Sequence, residues 1–389
     1  MLVSAARYWF ALLLAALAAA AQAPPAESFE DLARRAQATI DSQPAESANL
    51  FKQALALKPD WAEGWLYMGG ALYQLNRYAE ATDALRKGLD LAPQMGTGWA
   101  LLGLTEAELG DSDQAVADIR KGEGLGLGDN YPFERAARVR AAQLLVKASS
   151  YDEAQEQLRP LAKHNDDSIA VILTMGLCVL SMPESIADIS AERRAVVELA
   201  GRAAWTSVTL HPKQAAALYK QLVERYPNQP GVRYAHGLYL METDLGGALA
   251  EFHKELEHNP AHWPTLIITA TLETRRGSAD AAIECIRRAM KAAPAKYRWL
   301  CHTELGRAQM ESDHLDAAIS EFETALRLNP SIANIHFFLS EAYRRAGRKT
   351  DADRERAEFE KLKTEQDPLG VPAWRRLSGL CWRAMASLA

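Results

Sequence analysis

Apolar residues recur along this chain at the spacing of a helix face, in paired blocks joined by short polar turns. The block from Trp61 to Pro93 (WAEGWLYMGGALYQLNRYAEATDALRKGLDLAP) shows the arrangement most clearly. Trp65, Met68, Leu72 and Leu75 fall on one face of a first helix, and Tyr78, Ala81, Leu85 and Leu89 on one face of a second. Asn76 and Arg77 form the turn between them. Gly69 and Ala81 are small where two antiparallel helices must approach closely, and Pro93, which has no N–H to give, stops the second helix.

The pattern returns with a period of 34 residues: Trp99, Leu102, Gly103, Ala115 and Ile119 follow Trp65, Met68, Gly69, Ala81 and Leu85. Phe51, Ala54 and Pro59 precede Leu85, Gly88 and Pro93 by the same interval, so a worn copy begins near Phe29 and is expected to cap the array. Later copies are marked by Tyr151, Ala154 and Leu158, by Gly237, Ala248, Phe252 and Pro260, and by Ala282, Ile286, Ala289 and Pro294. Two more carry Leu305, Gly306, Ala318, Phe322, Ala325 and Pro330, then Leu339, Tyr343, Gly347 and Ala352. This order of tryptophan, leucine-glycine, tyrosine, alanine, aromatic, alanine and proline resembles the tetratricopeptide repeat (TPR) family. The resemblance implies an all-α, right-handed α-solenoid of about nine helix-turn-helix repeats, each burying its apolar face against its neighbour.

Two defects interrupt the period. Five extra residues between Ala115 and Ala154 fit best in the loop Gly122 to Pro132. Further on, the apolar helix Ile169 to Leu180 ends at Met182-Pro183 and a polar connection runs to Ser190, after which Ala191 to Val208 and Pro212 to Arg225 form a pair of their own. That leaves the Ile169 helix without an obvious partner. The expectation is a register break at 182–190 separating TPR segments 28–181 and 191–366.

Outside the repeats, Arg7 precedes the apolar run Tyr8 to Ala21, and Pro24 and Pro25 close it. This is the layout of a secretory signal peptide over residues 1–21, with a mature start at Gln22. A retained membrane anchor is the weaker reading, because a span needs about 20 apolar residues. The expected destination is an exported compartment, periplasmic or secreted. At the other end, Trp374, Leu377, Cys381, Met385 and Leu388 line one face of a helix over 373–389, opposite Arg375, Arg376 and Arg383. A capping helix is the plainer reading, and contact with an anionic membrane the alternative.

A net charge of -6 disfavours nucleic-acid binding, which needs clustered Lys and Arg. Four cysteines show no CxxC spacing; Cys285 and Cys301 fall on neighbouring helices, where a disulfide has to be weighed against two small buried hydrophobes. The glycine-rich stretch GEGLGLGDNYP follows a helix instead of a strand and lacks the GK[ST] ending of a phosphate loop. His253, His258 and His262 are the densest histidine group, with Glu251 and Glu257 nearby, but His258 and His262 straddle Pro260; solvent-facing histidines at a helix end are the favoured account. No catalytic signature is found, so no enzyme activity, metal or cofactor is expected.

What remains is surface. The resemblance implies that positions 2, 5, 9 and 12 of each first helix line a concave groove that holds a protein or peptide. Candidates at these positions are Leu66, Tyr73, Ala100, Leu104, Ile267, Thr271, Arg307, Phe337 and Arg344. The groove reads apolar toward the N-terminal end and basic near Arg307 and Arg344, suiting a partner with apolar anchors and an acidic region. The lysines and asparagine of chaperone-clamping TPR domains are missing. The competing reading is that neighbouring repeats cover several of these side chains. A scaffold is expected, with a membrane-associated assembly factor or a regulatory subunit of an enzyme as alternatives.

Overall fold

The structure, a computed structural model, describes residues 27–366, and all regular structure among them is helical. The chain divides into two compact units at Phe133/Glu134. The first holds α1 (Phe29–Thr39), α2 (Pro44–Leu57), α3 (Ala62–Gln74), α4 (Tyr78–Leu91), α5 (Gly96–Leu109) and α6 (Ser112–Leu125). Helix α7 (Tyr131–Lys147) crosses the division. The second unit continues with α8 (Tyr151–Leu158), α9 (Ile169–Val179), α10 (Ala191–Val208), α11 (Pro212–Arg225), α12 (Val232–Leu240) and α13 (Leu245–His258). It ends with α14 (Trp263–Arg275), α15 (Ala279–Ala292), α16 (Arg298–Glu311), α17 (Leu315–Leu328), α18 (Ala333–Arg345) and α19 (Lys349–Gln366). The expected signal peptide, Cys381 and the 373–389 helix lie outside the described residues. No helix among those described is long and apolar enough to cross a membrane.

One turn geometry repeats through both units. At the end of α3, Asn76 is left-handed (φ 57°) and the Arg77 amide donates to the Leu72 carbonyl at 3.0 Å, the αL-terminated motif that satisfies the last helical carbonyls. The same bond joins Asp111 to Glu106, Ser150 to Leu145, Ser278 to Glu273, His314 to Gln309 and Arg348 to Tyr343. Each closes the first helix of a pair and aims the chain back along it.

The paired helices meet where a side chain is missing. A methyl group built on Gly69 would lie 2.5 Å from Leu85 Cγ, and one on Gly103 would lie 2.5 Å from the Ala115 carbonyl oxygen. Gly237 and Gly306 make the same approach to the fully buried rings of Phe252 and Phe322. Ala81, Ala115, Ala248, Ala282 and Ala318 have no exposed surface. The small positions of the sequence pattern are therefore the helix–helix contact line.

The helices on either side of residues 182–190 pack on each other. Met182 N–H donates to the Leu177 carbonyl with Ser181 left-handed, so α9 ends as a first helix does. Its partner is α10: a methyl group on Gly176 would lie 2.0 Å from the Val197 carbonyl oxygen, and one on Gly201 would lie 1.9 Å from that of Ile172. Helix α10 then closes with the same motif at Leu210 and packs on α11, so it serves two partners. The connection is long because it holds a short 3₁₀ turn, Ile186–Asp188, and the α9 face, nearly all buried, is covered by α8 and α10. The glycine-rich stretch is only partly a loop: α6 runs to Leu125, and Gly122 lies against the backbone of Gly96 and Ala100.

Candidate functional site

The first helix of each repeat carries the candidate partner-binding positions, and burial divides them. In the first unit Leu66 is 9 % exposed and lies beneath Gly88 and Gly98, packed with Leu85, Leu89 and Leu102. Ala100 is fully buried against Gly122, and Leu104 is buried as well. These three hold helix to helix and repeat to repeat. They are corrected from groove surface to core: α4 and α5 cover Leu66, and α6, the second helix of the same repeat, covers Ala100. Tyr73 keeps part of its ring in water, edge-on to Tyr78 with ring centroids 5.6 Å apart. Tyr67, which the repeat register did not single out, is 43 % exposed and stacks on Phe51.

In the second unit Ile267 and Thr271 are buried and receive the same correction. Thr271 Oγ1 donates to Glu304 Oε2 at 2.9 Å, and Arg307 donates to both Glu304 oxygens. Arg307 also lies over the Phe338 ring, 5.0 Å from its centroid. Arg344 is exposed but bidentate on Glu341. Both arginines thus carry an internal counter-charge, which weakens the expectation that they form a basic patch for an acidic partner. Phe337 is 37 % exposed, edge-on to Phe338 at 5.7 Å and tilted against Phe359 at 5.5 Å, with the Arg356 guanidinium over its ring. Aromatic and arginine side chains held rigid by one another are the usual anchors of protein interfaces. Phe359 and Arg356 come from α19 and were not legible as neighbours of Phe337, since the last helix pairs with α18 only in the folded chain.

Other chemistry is spoken for. Glu251 accepts from Arg233 at 3.0 Å and Lys254 at 2.8 Å and lies 3.4 Å from His236 Nδ1. His253 faces Glu273 at 3.4 Å. His262 is not solvent-facing: its Nδ1 pairs with Thr265 Oγ1 at 2.6 Å, its ring meets Tyr234, and desolvation lowers its pKa to about 4, so it is neutral at physiological pH. Among the described residues no three His, Cys, Asp or Glu side chains converge as metal ligands. Cys178, Cys285 and Cys301 are free thiols; Cys285 and Cys301 share one apolar cluster without bonding, and burial pushes the Cys301 thiol up to about 11.

Residues 38–104 and 303–358 match two family models, both described as tetratricopeptide repeat. Among solved structures the chain is similar to a MamA RS-1 ArsTM double mutant, at 20 % identity and TM-score 0.40 over 46 % of this chain and 98 % of that one. A MamA 41-end from Desulfovibrio magneticus RS-1 gives 21 % identity and TM-score 0.40 over the same shares. A further structure of MamA gives 16 % identity and TM-score 0.38 over 43 % of this chain and 96 % of that one. No curated protein matches the chain.

Proposed function

The chain is a tetratricopeptide repeat protein, and from that premise we propose that it is a non-catalytic scaffold that binds another protein in an exported compartment. TPR repeats generally mediate protein–protein interaction. The observation that carries the reading is the aromatic patch of Phe337, Phe338 and Phe359 under Arg356, in which Phe337 stays partly in water while its neighbours hold its ring in place. Tyr73 offers a second aromatic contact in the other unit. Export rests on the apolar run after Arg7 and is the finer part of the proposal.

The test is affinity capture from the exported fraction with the full chain. A specific protein should be retained by the wild type and lost with Phe337→Glu, while the variant melts as the wild type does. Retention of the same protein by both would contradict the assignment of this surface. Finding the full-length chain, uncleaved, in the cytosolic fraction would contradict the compartment.

A further inference from the structure

The second unit contains a cavity of about 90 Å³ that neither the repeat pattern nor the scaffold reading uses. Five aromatic side chains line it: Tyr151, Tyr234, Trp263, Tyr297 and Trp299. Asp152 is the one acidic residue among its lining. The volume has room for about six water-sized groups, the scale of a small head group and not of a peptide.

The rings are fixed before any ligand arrives. Tyr151 donates its hydroxyl to the Ser181 carbonyl at 2.9 Å and Tyr297 donates to the Ser149 carbonyl at 3.0 Å, so these hydroxyls are consumed on backbone. Trp263 stacks on Tyr297 with centroids 4.7 Å apart, which locks both planes. Lys296, the residue before Tyr297, donates to the Ala148 carbonyl and to Ser150 Oγ at 2.8 Å, joining the turn before α8 to the turn before α16. These two turns are nearly 150 residues apart in sequence, so the enclosure is a product of the fold.

Asp152 sits in this enclosure without an ion pair among the described residues. Burial raises its pKa to about 6, with Glu156 and Glu153 adding to the shift and Arg159 opposing it. Arg159 is itself paired with Glu156 at 3.2 Å. From the other elements packed here, Cys178 and Tyr297 face the carboxyl, and both are neutral. A carboxylate held near apolar rings with no cation of its own is uncomfortable alone and favourable beside a positive charge. Aromatic faces carry the negative side of the ring quadrupole and attract the same kind of charge. Tyr151, Asp152, Trp263 and Tyr297 each keep part of their surface in water, so the cavity can be entered.

We propose that this pocket binds an alkylammonium group, its apolar skirt against the rings and its charge beside Asp152. Such a group could come from a free quaternary amine or from a lysine side chain of a bound protein, and the experiment separates the two. Full-length protein would be titrated calorimetrically at pH 7.5 with choline, with N-acetyl-lysine methylamide, and with 3,3-dimethyl-1-butanol, the uncharged counterpart of choline. Saturable binding of either cation, with none of the neutral alcohol, is the expected result; choline alone assigns a free amine, and the lysine derivative alone or in excess assigns a protein side chain. Asp152→Asn should weaken binding by roughly tenfold or more, and so should Trp263→Leu. The second variant keeps the test open if the first fails to fold, which a melting curve reports. Because Asp152 charges only above its raised pKa, binding by the wild type should also weaken as pH falls from 7.5 to 5. Equal binding of choline and the neutral alcohol would overturn the proposal, as would no binding of either cation. Neither result touches the scaffold reading, which is tested by partner capture at a different surface.

Discussion

At the scale of single residues, two positions depart from what their neighbours would suggest. Glu106 is 3 % exposed, and burial lifts its pKa to about 7, with Asp118 adding to the shift and Arg86, 3.1 Å away, opposing it. In the unfolded chain the group has its ordinary value, near 4.5. The folded state therefore binds a proton that the unfolded state has lost between those values, and stability from this source is full below about 4.5 and disappears as pH rises through about 7. Melting temperatures measured from pH 5 to 8 should fall more steeply for the wild type than for Glu106→Gln; parallel curves would contradict the assignment. Leu210 is 85 % exposed and left-handed at φ 63°, a conformation that disfavours a side chain by about 1 kcal/mol. Leu210→Gly is expected to hold stability or raise it by up to about 1 kcal/mol in chemical denaturation, against the usual loss on placing glycine in a chain.

Turn positions show how much was legible at this scale. Asn76 in the first clear repeat is a residue that tolerates the left-handed conformation, and the sequence pattern placed a turn there. Ser181 and Leu210 adopt the same conformation with no such preference, because the surrounding helices determine the turn. For that reason α9 could not be recognised from its sequence as the first helix of a pair. Burial at the groove positions was equally hidden: on the same helix, Leu66 lies between α4 and α5 while Tyr73 keeps part of its ring in water.

Between elements, the spacing of small residues carries the fold. Gly69 meets Leu85 and Gly103 meets Ala115 and Ile119 closely enough that any side chain would have to displace the partner helix. Gly69→Leu and Gly103→Leu should each destabilise the protein by about 1 to 3 kcal/mol or more by urea unfolding. Little change at both sites would mean that the pairing is wrong. Gly176 and Gly201 make still closer approaches to carbonyl groups, and they explain how α9 and α10 pair across a connection that looked like a boundary. The period-34 repeats were legible because each repeat uses the same contact line. The pairing of α9 with α10 was not, because α10 is shared with α11 and no repeat of the pattern spans the group.

For the molecule as a whole, the helical repeats occupy nearly all described residues, and they leave function to surfaces and to the aromatic cavity beside Asp152. The two compact units divide in sequence at Phe133/Glu134, close to the glycine-rich stretch where the sequence period first slipped. Five of nine groove candidates moved into the core, leaving Tyr73, Arg307, Phe337 and Arg344 with surface to offer. Of these, Phe337 is distinguished by its support from Phe338, Phe359 and Arg356. The central claim is that this patch anchors a partner protein. Titrating the captured partner into wild-type protein and into Phe337→Glu by calorimetry tests it most directly. The account predicts an affinity loss of roughly tenfold or more in a variant that melts normally; an unchanged affinity would contradict it.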